Sequence, residues 1–72
     1  MSQHKYKKGD FVCYGKDCRI KAEVLSVSKH GSLTIRSLHY CDDNWQMIPG
    51  SALGYKYKDI APDRVQPFPV QP

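Results

Sequence analysis

The sequence predicts a small all-β domain: five short antiparallel strands closed into a barrel, with one short 3-10 turn before the last strand and an extended proline-rich C-terminal tail. Three observations predict it. Apolar residues alternate with period two through "RIKAEVLSVS" and "LTIRSLHY", the pattern of strands with one buried face. Between these runs lies "KHGS", a hairpin turn in which Gly31 is free to take positive φ. The chain has only 72 residues, and a chain of that size buries only about 60% of the surface its unfolded form exposes. Closing the sheet hides both edges and suits so small a core.

Along the chain, residues 1–8, "MSQHKYKK", read as a basic, mobile arm. The barrel is expected over 9–66. A Gly-Asp turn leads into a first strand over 10–14, and "GKD" reads as a loop. In the second strand Ile20, Ala22 and Val24 share a face, then Leu25 and Val27 take the other. The β-branched residues and the missing capping box disfavour a helix here. The change of face predicts a bulge near Val24, so that one strand serves two sheets. The third strand repeats the change, with Leu33 and Ile35 on one face and Leu38 and Tyr40 on the other. "CDDN" is a polar loop and "WQMIPGSALG" a short apolar piece broken by Pro49 and Gly50. "YKYK" suits an exposed edge strand, with Tyr55 and Tyr57 on one face and Lys56 and Lys58 on the other. "DIAPDRV" reads as one tight helical turn whose Ile60 and Val65 plug the barrel end. Residues 67–72 close the chain as a polyproline-like tail. This is the plan of an SH3-like barrel.

Composition narrows the function. Eleven Lys and Arg against seven Asp and Glu give a net charge of +4, which favours acidic proteins or nucleic acid as partners, and also suits a merely soluble surface. The basic N-terminal stretch is followed by no apolar signal-peptide core, and no apolar run approaches the roughly 20 residues of a membrane helix. A cytoplasmic protein without membrane contact is expected. Three cysteines, an odd number without a secretion signal, predict reduced thiols packed as small apolar side chains.

The stretches "YKKGDFVCY", "DCRIKAEVLSV", "LHYCDDNW" and "KDIAPDRV" together resemble the Tudor and chromo-barrel domains. In that family aromatic side chains at one rim form a cage for methylated lysine or arginine, a cation–π site helped by a carboxylate. The resemblance implies cage candidates Tyr14, Tyr40 and Trp45, with Asp42 and Asp43 supplying negative charge. Ile20 stands where Tudor domains often carry an aromatic, and Met47 and Ile48 where chromo-barrels often carry another Trp. A more distant likeness is to plasmid-borne dihydrofolate reductases built from SH3-like subunits around a tetramer pore. "WQMIPGSAL" is similar to their pore strand through Gln46 and Met47, but Ile48 replaces the Tyr and Tyr14 stands in place of a pore Lys.

Each candidate residue has a plain reading beside the functional one. Trp45 most often means core or rim packing in a small barrel, and alternatively a rim ring that stacks on a base or holds a cation. Asp42 and Asp43 fit a turn or cap. They lack the contrasting environments of an acid/base pair. Cys13, Cys18, His39 and Cys41 form a C-x4-C, H-x-C set of the type that binds zinc, and pack as ordinary core side chains otherwise. Lysines and arginines interleaved with Tyr6, Tyr14, Tyr55 and Tyr57 follow the recipe for single-strand binding, or simply solvate the surface.

No catalytic signature is present and no cofactor is expected. The reading is a non-catalytic interaction module in which Tyr14, Tyr40, Trp45, Tyr55 and Tyr57, with Lys16, Arg19, Lys56 and Lys58, contact an acidic protein or peptide. Alternatives are single-stranded nucleic-acid binding by the same rim, and a pore-forming homo-oligomeric enzyme. A free-standing chain of this size would suit a small accessory protein of a phage or other mobile element.

Overall fold

Alternating β-branched and apolar residues become one antiparallel sheet in the computed structural model, which describes residues 5–68. Its strands are β1 (Phe11–Tyr14), β2 (Ile20–Val27), β3 (Leu33–Tyr40), β4 (Lys56–Ile60) and β5 (Gln66–Pro67), in the order β4-β3-β2-β1-β5. The fold is all-β, with no α-helix among the described residues and no helix long and apolar enough to cross a membrane. The predicted closure into a barrel does not occur, because the edge strands β4 and β5 do not pair. A two-residue β5 carrying Pro67 has too few N–H donors to seal a seam.

The bends fall where extra residues interrupt the pairing. Val24 pairs with Ile35 and Ser26 with Thr34, leaving Leu25 as the extra residue of β2. Lys21 pairs with His39 and Ala22 with Ser37, which makes Leu38 the extra residue of β3. Each bulge increases the twist and turns the sheet toward its concave side. The hairpin between β2 and β3 has Gly31 at φ 91°, a conformation costly for any residue with a Cβ.

Cross-strand partners share a face, so the pairs Val12–Ala22, Val24–Ile35 and Val27–Leu33 put the core on the concave side. There Val12, Ala22, Val24, Leu33, Ile35 and Val65 pack together with Tyr6, flanked by Tyr14, Val27 and Ile60. Burying each of the Val, Leu and Ile side chains stabilises by about 1.5–3 kcal/mol. Tyr6 corrects the expected arm: it is a core residue, and its hydroxyl donates to the Val65 carbonyl at 3.4 Å. Only residues 1–4 of that arm lie outside the described residues.

Two 3-10 turns are present among the described residues where one was predicted. Pro62–Arg64 is the expected one. The other, Lys16–Cys18, replaces the simple "GKD" loop. Tyr14 pairs with Ile20, so the five intervening residues must reverse the chain tightly, with Gly15, Asp17 and Cys18 all at positive φ. That reversal brings Cys18 back to Cys13, and the two form a disulfide. The expectation of three reduced thiols is thereby overturned; Cys41 alone is free, and it is buried. An odd cysteine count fixes only that at least one thiol is left over. The expected tail also begins inside the fold. Pro67 pairs with Val12, and the Phe68 N–H donates to the Phe11 carbonyl at 3.1 Å. A proline is tolerated there because β5 is an edge strand. Residues 69–72 of that tail lie outside the described residues.

Candidate functional site

The concave face carries a tyrosine cluster beside the core. Register places it: Tyr14 pairs with Ile20 and Ile20 with Tyr40, while Tyr57 pairs with Ile35. The Tyr14 and Tyr57 rings meet edge-to-face, with centroids 6.2 Å apart, and Tyr55 lies 6.5 Å from Tyr57 on its other side. Tyr14, Ile35, Tyr57, Asp59 and Arg64 line a cleft of about 420 Å³ floored by Val65. Asp59 has φ 58° at the point where β4 gains an extra residue between its pairings with Ile35 and Leu33. Left-handed backbone is unusual for a residue with a Cβ, though Asp tolerates it better than most. The Tyr14 hydroxyl is 2.5 Å from Ser37 Oγ. Burial pushes the Tyr14 phenol above its ordinary pKa; the Ser37 hydrogen bond works against that rise, and the neighbouring Tyr57 and Tyr40 add to it.

The convex face carries a second aromatic group, interleaved with cations. Lys21 Nζ sits 4.5 Å from the ring centroids of both Phe11 and Phe68. Phe68 meets Trp45 edge-on at 6.0 Å, and the Arg19 guanidinium lies 4.7 Å over the Trp45 ring. Arg19 also binds Asp43 Oδ1 at 2.9 Å and donates to the Asp42 carbonyl. Trp45 takes φ 63° in the turn closed by its N–H to the Asp42 carbonyl. With the disulfide, Gln66 and Pro67 it borders a somewhat smaller cavity of about 370 Å³.

The residues expected to form one rim are thus distributed over two faces. Tyr14, Tyr40, Tyr55 and Tyr57 come together with the concave side. Trp45 and Arg19 are together on the convex side, where Trp45 has Phe68 as its aromatic neighbour. Lys16, Lys56 and Lys58 are exposed. Asp42 turns its carboxylate onto the N–H groups of Asn44 and Gln46, at 2.8 and 3.0 Å, and so caps its own loop. Asp43 serves Arg19. In the zinc-type set Cys13 and Cys18 are bonded to each other, which removes two of four ligands, and Cys41 Sγ lies 3.8 Å from His39 Nδ1. No group of three or more His, Cys, Asp or Glu side chains suited to a metal is present among the described residues. Burial raises the Cys41 thiol above its ordinary pKa. Gln46 and Met47 are exposed, with Met47 bridged to Cys41. Tyr6, counted among the base-stacking candidates, is buried and unavailable for that role.

Sequence reasoning missed Asp59 and Arg64 at the cleft, and Phe11 and Phe68 on the convex face; it counted Lys21 among the basic surface residues without its aromatic neighbours. For Phe68 a signal existed: it is the one aromatic within an otherwise polar and proline-rich segment. For Arg64 and Asp59 none did, because their position depends on how the turn after β4 folds back over Val65.

Comparison of the chain with protein-family models, curated proteins and solved structures finds no match.

Proposed function

We propose that this chain is a non-catalytic interaction module that binds an acidic protein segment along the tyrosine-lined cleft. The observation that carries the reading is the joining of an apolar cleft, walled by Tyr14, Tyr57 and Ile35, to Arg64 at its border, with Lys56 and Lys58 exposed on the other face of the same strand. Among the described residues the one ion pair is Arg19–Asp43, so these three cations are free to meet carboxylates. Apolar side chains of a partner would fill the cleft while its acidic groups meet the border. In this reading the bent, bulged sheet works as an opened SH3-like barrel, and its Tudor-like aromatic rim is reduced to tyrosines. Trp45, already covered by Arg19 and Phe68, supplies no wall.

The test is an NMR titration of labelled protein with a blocked peptide alternating glutamate with leucine, against the same peptide carrying glutamine. Resonances of Tyr14, Tyr57, Ile60 and Arg64 should move with the acidic peptide. Arg64→Gln should weaken binding about tenfold or more, the worth of one charge-assisted hydrogen bond. Silence of the cleft resonances toward the acidic peptide would remove the reading.

One observation favours single-stranded nucleic acid as a second reading. Tyr55 is 62% exposed, tilted on Tyr57, and flanked by Lys56, a ring beside a phosphate-pairing cation. Binding of an oligonucleotide that weakens steeply with salt, through counterion release, would select it.

A further inference from the structure

We infer that the open edge of β4 takes up an extended acidic segment of the partner as a sixth, antiparallel or parallel strand, with carboxylates opposite Lys56 and Lys58. The inference rests on the acidic-partner reading and specifies how that partner is held.

Three features converge on this edge. The first is backbone polarity. The Ser37 N–H donates to the Tyr55 carbonyl at 2.8 Å, so Tyr55 directs its hydrogen-bonding groups at β3. Strand geometry then aims those of Tyr57 the same way, and those of Lys56 and Lys58 outward. β4 ends the sheet, and among the described residues nothing pairs with that outward side. An unpaired strand edge is a template for a further strand.

The second feature is a row of charge across the sheet. Phe11 pairs with Glu23, Glu23 with Arg36, and Arg36 with Lys56. Arg36 and Lys56 are like charges directly opposite one another, an arrangement that destabilises a sheet. Glu23 on the other side of Arg36 makes no ion pair with it. Lys58 follows on the same face as Lys56. A carboxylate on an added strand beside Lys56 supplies the opposite charge that this end of the row lacks. The third feature is the other face of β4, where Tyr57 borders the cleft and Tyr55 extends it. A strand alternating acidic and apolar residues therefore finds lysines on one face and tyrosine rings on the other. Asp59, with its bulge and its own negative charge, ends the acceptor edge and limits the added strand to the stretch ahead of it.

The experiment is amide hydrogen exchange of the full chain, alone and with a blocked eight-residue peptide alternating glutamate and valine. The expected result is that the Lys56 and Lys58 amides, exchanging freely alone, become protected at least about tenfold when the peptide is bound. Lys56→Pro removes an outward N–H that β3 does not use, so it should leave the sheet intact and weaken the peptide about tenfold or more. Lys56→Gln keeps that N–H and should weaken it only about threefold. Should Lys56→Pro unfold the chain, the exchange result on the unaltered protein decides. Peptide-induced shifts at Tyr14 and Tyr57 without protection of Lys56 and Lys58 would overturn the added strand and leave the cleft reading standing. Equal binding of a lysine–valine peptide would overturn the acidic class. No binding at all would overturn both, and protection of the same amides by an oligonucleotide alone would pass the edge to nucleic acid.

Discussion

The hydroxyl of Tyr14 on β1 and the hydroxyl of Ser37 on β3 meet at 2.5 Å, across the intervening strand β2. Ser37 is fully buried, the one buried polar side chain among the described residues, and no buried side-chain polar atom there is left without a partner. Tyr14→Phe should therefore cost about 1–3 kcal/mol, the penalty of orphaning a buried hydroxyl. Ser37→Ala should cost less, because the Tyr14 hydroxyl borders the cleft and finds water. The double variant should be more stable than Tyr14→Phe alone. Urea unfolding of the three variants checks the order, and an equal cost for all three would mean the hydrogen bond contributes nothing specific.

Burial raises two acids in the folded chain, and both work against alkaline stability. A proton held more tightly in the folded state contributes stability that is complete below the unfolded pKa and is lost as pH rises through the folded value. For Cys41 the loss should begin above its ordinary 9.0, and for Tyr14 above its ordinary 10.0. Stability measured from pH 8 upward should fall in that window. Cys41→Ala should remove the earlier part of the fall and Tyr14→Phe the later part.

Arg19 has one ion pair, one hydrogen bond to a backbone carbonyl and one aromatic contact, and the aromatic one should matter more than the ion pair. Asp43 is almost wholly solvated, with 97% of its side chain exposed, and exposed ion pairs contribute little. Asp43→Asn should change stability by less than about 0.5 kcal/mol. Arg19→Ala, which uncovers Trp45, should cost about 1 kcal/mol and shift the emission of the chain's single tryptophan to the red. Equal effects of the two changes would show that the charge pair dominates.

Tyr6 should behave as core. Tyr6→Ala should destabilise by about 3–5 kcal/mol, as for other large aromatic truncations. Tyr6→Phe should be nearly neutral, since its hydrogen bond to Val65 is long at 3.4 Å. Thermal unfolding of both variants separates packing from hydrogen bonding here.

The thiol count should be one per chain in denaturant without reductant and three after reduction, following from one disulfide and one free cysteine. Native Cys41 should react slowly with a thiol reagent, because it is buried and its thiolate disfavoured. Closing a loop this short is worth about 2 kcal/mol in the chain-entropy account. Cys18→Ala should lower stability by about that amount.

The features readable from the amino acids were the local ones. Alternation located β2 and β3, the change of face at Val24 located a bulge, and "DIAPDRV" located a 3-10 turn, because each depends on residues a few positions apart. The open edge, the buried Tyr6 and the pairing of Pro67 depend on contacts between the two ends of the chain, which no local pattern encodes. The candidate site shows the same limit. Tyr40 and Trp45 are five residues apart and looked like one rim. The extra residue at Leu38 keeps Tyr40 with Ile20, while the left-handed turn at Trp45 carries its ring to Arg19.

The contact between Tyr6 and Val65 spans 59 positions of sequence, and Phe68 returns to Phe11 beside it. The β2–β3 hairpin needs only a short turn and forms with little loss of chain freedom, whereas joining the two ends closes a loop of almost the whole polypeptide. The order of folding follows: hairpin first, seam between the ends last, and the same seam first to open on unfolding. It also makes the chain a natural candidate for circular permutation. Residues 5 and 68 joined by a short linker, with new ends cut in the exposed segment 48–50, would turn the slowest contact into a local one without altering the sheet.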